Sequence, residues 1–85
     1  MFDETRGGRS VPKTEKEWID SLAAALNVAA PTDEEREALL SLAGTAAHSS
    51  ERTAAPISCW LVARAGLSAE QGKALAEKLA SEMQE

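Results

Sequence analysis

Pro56-Ile57-Ser58-Cys59-Trp60-Leu61-Val62-Ala63-Arg64-Ala65-Gly66, PISCWLVARAG in one-letter code, decides how this chain folds. Proline is favoured at the first position of a helix, where its missing N–H would have had no partner. Glycine is favoured just past the end, where the backbone turns left-handed. Between these marks Ile57, Cys59, Trp60, Leu61, Val62, Ala63 and Ala65 are apolar, relieved only by Ser58 and Arg64. A helix that is apolar nearly all round is one its neighbours enclose. The stretch therefore predicts a central helix opening at Pro56, with other helices laid against it. Trp60 then belongs to the core, and Cys59 is a small buried hydrophobe with no basic neighbour to lower its pKa.

The neighbouring helices announce themselves by their first residues. Thr14 is followed by Glu17, Thr32 by Glu35 and Ser68 by Gln71. In each capping box the hydroxyl accepts from the N3 amide and the N3 side chain reaches back to the N-cap amide. Asp33, Glu34 and Glu35 also set negative charge against the positive end of the helix dipole. The first helix spans about Glu15 to Leu26, with Trp18, Ile19, Leu22, Ala25 and Leu26 on one stripe. After it, Val28 is expected to drop into the core. The second spans about Asp33 to Ala47, its stripe formed by Leu39, Leu42, Ala43 and Ala46. Gly44 in its interior costs about 1 kcal/mol against alanine, which calls for a packing reason. The last runs from about Ala69 to Met83, with Gly72, Leu75, Ala76, Leu79 and Met83 at i, i+3, i+4 and i+7 steps.

The totals agree with four helices and little else. Among 85 residues, seventeen of the apolar ones are alanine, tyrosine is absent and β-branched residues are sparse. The fold class is all-α: a compact bundle of four short helices, with a thin core and a disordered N-terminal arm. Residues 1–13, with Gly7-Gly8, Ser10, Pro12 and mixed charge, lack the apolar period needed to offset the entropy of ordering and form the flexible arm. Residues 14–85 form the helical bundle domain. So few large side chains make pairing of two copies, a homodimer, an effective way of burying more surface.

Nine basic and fourteen acidic residues leave a net charge of −5. Nucleic-acid binding draws on clustered Lys and Arg, so no nucleic acid is expected as a partner. No run approaches the roughly 18 apolar residues of a membrane span, and the first residues carry acids and glycines where a signal peptide needs an apolar core. One cysteine forms no intramolecular disulfide, and the cytoplasm is the expected location.

One corner carries chemistry. Ala47-His48-Ser49-Ser50-Glu51-Arg52-Thr53-Ala54-Ala55-Pro56 holds the lone histidine and an adjacent acid–base pair. At the end of the second helix His48 can cap bare carbonyls and meet the negative end of the dipole. A metal needs several converging ligands, and none accompany it, so no metal or other cofactor is expected. Ser49, Ser50 and Ser58 form no nucleophile elbow with it, so no catalytic residue is assigned. Arg52 has two readings: its planar head can staple the connection to backbone carbonyls, or join the free amides of the third helix in holding an anion or a partner. Glu51 beside it is an ordinary solvated partner or part of the same contact. His48, Glu51 and Arg52 are the candidate binding residues.

Trp18-Ile19-Asp20 with Leu22 and Leu26, then Ala47-His48, Glu51-Arg52 and Ala54-Ala55-Pro56-Ile57, resemble a small bacterial helical domain of unknown function over about residues 15 to 80. That domain is found alone or appended to molybdenum cofactor guanylyltransferase-like proteins, which make molybdopterin-guanine dinucleotide, and is associated with formate dehydrogenase accessory genes. The resemblance implies an accessory role in molybdopterin cofactor maturation, with a guanylyltransferase or a formate dehydrogenase accessory protein as partner. It implies no enzyme, because the glycine-rich nucleotide loop and magnesium carboxylates of the transferase are absent from this sequence. The expected function is therefore a non-catalytic protein-interaction module. The alternative is a small-ligand module that holds an anion or nucleotide in the loop between the second and third helices.

Overall fold

A computed structural model describes residues 14–83. Its helices are α1 (Glu15–Leu26), α2 (Asp33–Ser49), α3 (Ala54–Arg64) and α4 (Ala69–Met83), with no strand among the described residues. The protein is all-α, with four helices in the expected order, α2 ending and α3 opening two residues from where the sequence placed them. The arm assigned to residues 1–13 lies outside the described residues. The chain divides into two compact units, on either side of the Ala30–Pro31 bond.

Local chemistry fixes the helix ends. All three capping boxes form. Thr14 Oγ1 accepts from the Glu17 amide at 3.1 Å while Glu17 accepts from the Thr14 amide. Thr32 and Glu35 repeat the exchange at 3.0 and 2.8 Å, as do Ser68 and Gln71 at 3.1 and 2.8 Å. Two of the ends share another device. After α1, Asn27 adopts φ 60°, its amide donates to Ala24 O, and the Val28 amide reaches Ala23 O. After α3, Gly66 adopts φ 78°, its amide donates to Ala63 O, and the Leu67 amide reaches Val62 O. These paired bonds are Schellman caps, which satisfy the carbonyls a helix end leaves bare.

Within the first unit α1 buries Ala23, while Trp18, Leu22 and Leu26 stay well exposed. Val28 does not drop into a core as expected. It is 60% exposed, and its backbone serves to close the helix.

In the second unit α2 is the hub. It packs broadly against α4 and α3, which touch each other more lightly. Ala38 and Leu42 of α2 and Gly72 of α4 are buried, and Leu42 is nearly inaccessible. The slim half of α2 was expected to owe its glycine to a close neighbour. Gly44 instead has open space where a side chain would project, and Gly72 meets Val62 of α3.

α3 corrects the sequence reading most. It contributes no fully buried residue, and Ile57, Trp60 and Leu61 are each more than half exposed. Neither tryptophan is core: Trp18 is 58% and Trp60 57% exposed, the latter with the Arg64 guanidinium 5.3 Å from its ring centre. The all-round apolar pattern is real, but one layer of α2 and α4 covers only one side of it. α3 also opens two residues before Pro56. Proline at the third helical position costs no hydrogen bond, since the first four amides of a helix have no partner within it.

Candidate functional site

The turn between α2 and α3 is held by backbone and by one serine. α2 runs two residues past Ala47, so His48 lies in its last turn. Ser50, rather than the expected His48, caps that end: its amide and its hydroxyl both donate to Ala46 O, at 3.1 and 2.9 Å. The Ala54 amide then donates to Glu51 O at 2.9 Å and the Ala55 amide to Arg52 O at 3.1 Å. Thr53 sits at the N-cap with helical dihedrals and no side-chain cap bond.

This geometry bears on anion binding. A helix start attracts anions through unpaired amides. At α3 the amides of Ala54 and Ala55 are already bonded and Pro56 has none, so three of the donors that would cradle a phosphate are missing.

His48, Glu51 and Arg52 are all exposed, and among the described residues no hydrogen bond or ion pair engages their side chains. Among the described residues Arg52 makes no stapling bond; the backbone and the Ser50 hydroxyl close the turn. The structure brings Glu51 and Arg52 to one rim, with His48 at the preceding helix end. Among the described residues no group of three or more His, Cys, Asp or Glu is placed to hold a metal ion. Cys59 is partly buried, and that desolvation pushes its thiol up from the ordinary value of 9.0, keeping it protonated.

Beside this rim runs an apolar groove of about 180 Å³, floored by Ala46 and Ala76 and walled by Leu79, Met83 and Ala54. A wider, open hollow continues from it along α3, past Glu51 and Thr53 to Ile57 and Leu61. Ser50, Ala54 and Ser58 line both, so the two form one surface. Ala76, Leu79, Ala80 and Met83 follow i, i+3, i+4 and i+7 spacing, which sets them along one face of α4. The sequence reading placed Leu79 and Met83 on the apolar stripe of the last helix and did not see this surface. Its signal was already there in the helix that is apolar on more sides than its neighbours can cover.

No helix among the described residues is long and apolar enough to cross a membrane. The chain matches, over residues 10–85, the family described as Domain of unknown function (DUF6457), and it belongs to that family. No curated protein and no solved structure matches it.

Proposed function

We propose that this member of the family is a non-catalytic accessory module that acts by contact with other proteins. One observation carries the reading. Large apolar side chains of α3 and α4, Ile57, Trp60, Leu61, Leu75, Leu79 and Met83, stand about half exposed, while the residues buried in the same unit are Ala38, Leu42 and Gly72. Contiguous apolar surface with a polar rim is characteristic of protein interaction sites. Glu51 lines this surface, with His48 and Arg52 close to it in sequence, and the side chains of all three have no hydrogen bond or ion pair among the described residues. The single cysteine fits the cytoplasm, and pairing with a second copy is part of the same reading.

The partner drawn from the resemblance is a molybdenum cofactor guanylyltransferase or a formate dehydrogenase accessory protein. The motif of His48, Glu51, Arg52 and Ala54-Ala55-Pro56 supports that choice. The runner-up, an anion- or nucleotide-binding module in the α2–α3 turn, has the bonded amides of Ala54 and Ala55 against it.

The test is binding of the purified full chain to each of the two purified candidate partners, measured by calorimetry. The expected result is a saturable complex with one of them, weakened when His48, Glu51 and Arg52 are all replaced by alanine. No complex with either would overturn the partner assignment. A rise in melting temperature with GTP or inorganic phosphate, lost in Arg52→Ala, would favour the runner-up.

A further inference from the structure

The surface that α3 and α4 leave uncovered has a size and a charge pattern that select its occupant. We propose that it is covered by a second copy of this chain, through an isologous contact centred on Ile57 and Leu61 and extending over Leu79 and Met83. The inference rests on the interaction-module reading above and names one face and one partner for it.

Area is the first argument. At 100° per residue, Trp60, Ile57 and Leu61 fall within about 100° of arc on α3. Leu79 and Met83 continue the face across Ala54 and Ser58. The five large side chains are 49–68% exposed. With about 150–200 Å² for such a side chain in full, they present roughly 430–570 Å² of apolar surface. One side of a standard interface buries about 800 Å², and about 65% of a homodimer interface is apolar, which gives roughly 500 Å². The face supplies the apolar half of one dimer contact.

Charge is the second. From Ala54 to Arg64, α3 contains no acidic residue, although the chain carries −5. Apart from Glu51 at the rim of the hollow, acids of this unit sit on the first turn of α2 (Asp33, Glu34, Glu35) and on α4 at Glu70, Glu77 and Glu82. Two copies approaching by those surfaces repel. Glu51 and Arg64 stand only at the edges of this face, whose centre at Ile57, Leu61 and Leu79 is apolar, and a two-fold axis sets the same apolar patch against itself. A basic foreign partner would find nothing on α3 to choose it.

The experiment is sedimentation of the purified full chain, with no other protein present, over two orders of magnitude in concentration. The expected species is a dimer whose melting temperature rises with concentration. Leu61→Glu should raise the dissociation constant by about 30-fold or more. Leu40→Glu should leave it unchanged: Leu40 is just as exposed, but lies nine positions from the groove residue Ser49, about half a turn round α2. Should Leu61→Glu fail to fold, Cys59→Ser/Ile57→Cys provides the second reading. Mild oxidation should link its copies covalently, and should not link Cys59→Ser/Leu40→Cys. A monomer at every concentration overturns the proposal, whether its α3 is open to solvent or shielded by the same chain. So does a dimer indifferent to Leu61→Glu and unlinked at position 57. A monomer that still binds one of the candidate partners overturns the second copy alone and leaves the accessory reading standing.

Discussion

A Cβ built on Gly72 of α4 would lie 2.5 Å from Cγ1 and 2.8 Å from Cγ2 of Val62 on α3. α3 and α4 meet lightly, and this absent methyl lets them approach. Alanine would gain about 1 kcal/mol in helix propensity at position 72. It would also force Val62 aside, and a valine in a helix has essentially one χ1 rotamer, so its methyls cannot swing clear. Overpacking of this kind costs about 1–3 kcal/mol. Gly72→Ala is therefore expected to destabilise the protein by about 1 kcal/mol net in urea titration. Val62→Ala should convert the same change into a gain, since the obstructing methyls are gone.

Gly44 makes the opposite prediction. No atom lies within 4 Å of the Cβ it lacks, and it sits inside α2 with ordinary helical dihedrals. Gly44→Ala should stabilise the protein by about 0.5–1 kcal/mol through lower backbone entropy in the unfolded chain. A urea midpoint below that of the original protein would refute this.

Thr32 and Thr53 occupy the same helical position and do different work. Thr32 accepts from the Glu35 amide, whereas Thr53 makes no cap bond. Thr32→Ala should cost about 1 kcal/mol, and Thr53→Ala under about 0.5 kcal/mol. A loss at Thr32 no larger than that at Thr53 in thermal unfolding would refute this.

Cys59 ties stability to alkaline pH. Burial raises its pKa above 9.0 in the folded chain, so the folded state holds the thiol proton more tightly than the unfolded state does. That contribution is fully present below pH 9.0 and is lost as pH rises through the folded value. Urea stability should fall across this alkaline window, and Cys59→Ser should fall less. Disulfide-reagent labelling near pH 8 should be slower on native protein than in urea. Equal labelling rates would contradict the shift.

What the sequence disclosed was local. Thr14, Thr32 and Ser68 with their N3 partners placed three helix starts without error, because a capping box is complete within four residues. Gly66 marked the end of α3 for the same reason. What stayed hidden depended on neighbours distant along the chain. Periodicity made Trp18, Trp60, Leu79 and Met83 apolar-face residues, but a face says nothing of what covers it, and each of the four is about half exposed or more. Two glycines sit inside helices, and only the contact of Gly72 with Val62 separates the required one from the dispensable one. At the candidate site, residue types drew attention to His48 and Arg52. Ser50 closes the helix end instead, since its side chain is short enough to turn back onto Ala46 O.

The hub position of α2 also governs how this chain reaches its native state. α3 and α4 lean chiefly on α2, and most close backbone approaches join residues fewer than twelve positions apart. Such a topology has little loop-closure entropy to overcome, and helical domains of this kind fold in microseconds to milliseconds. Leu42, the most enclosed side chain of α2, is where the folding nucleus is expected. Substitutions there should slow the forward rate, whereas changes at the outer ends of α3 and α4 should act mainly by hastening escape from the native basin.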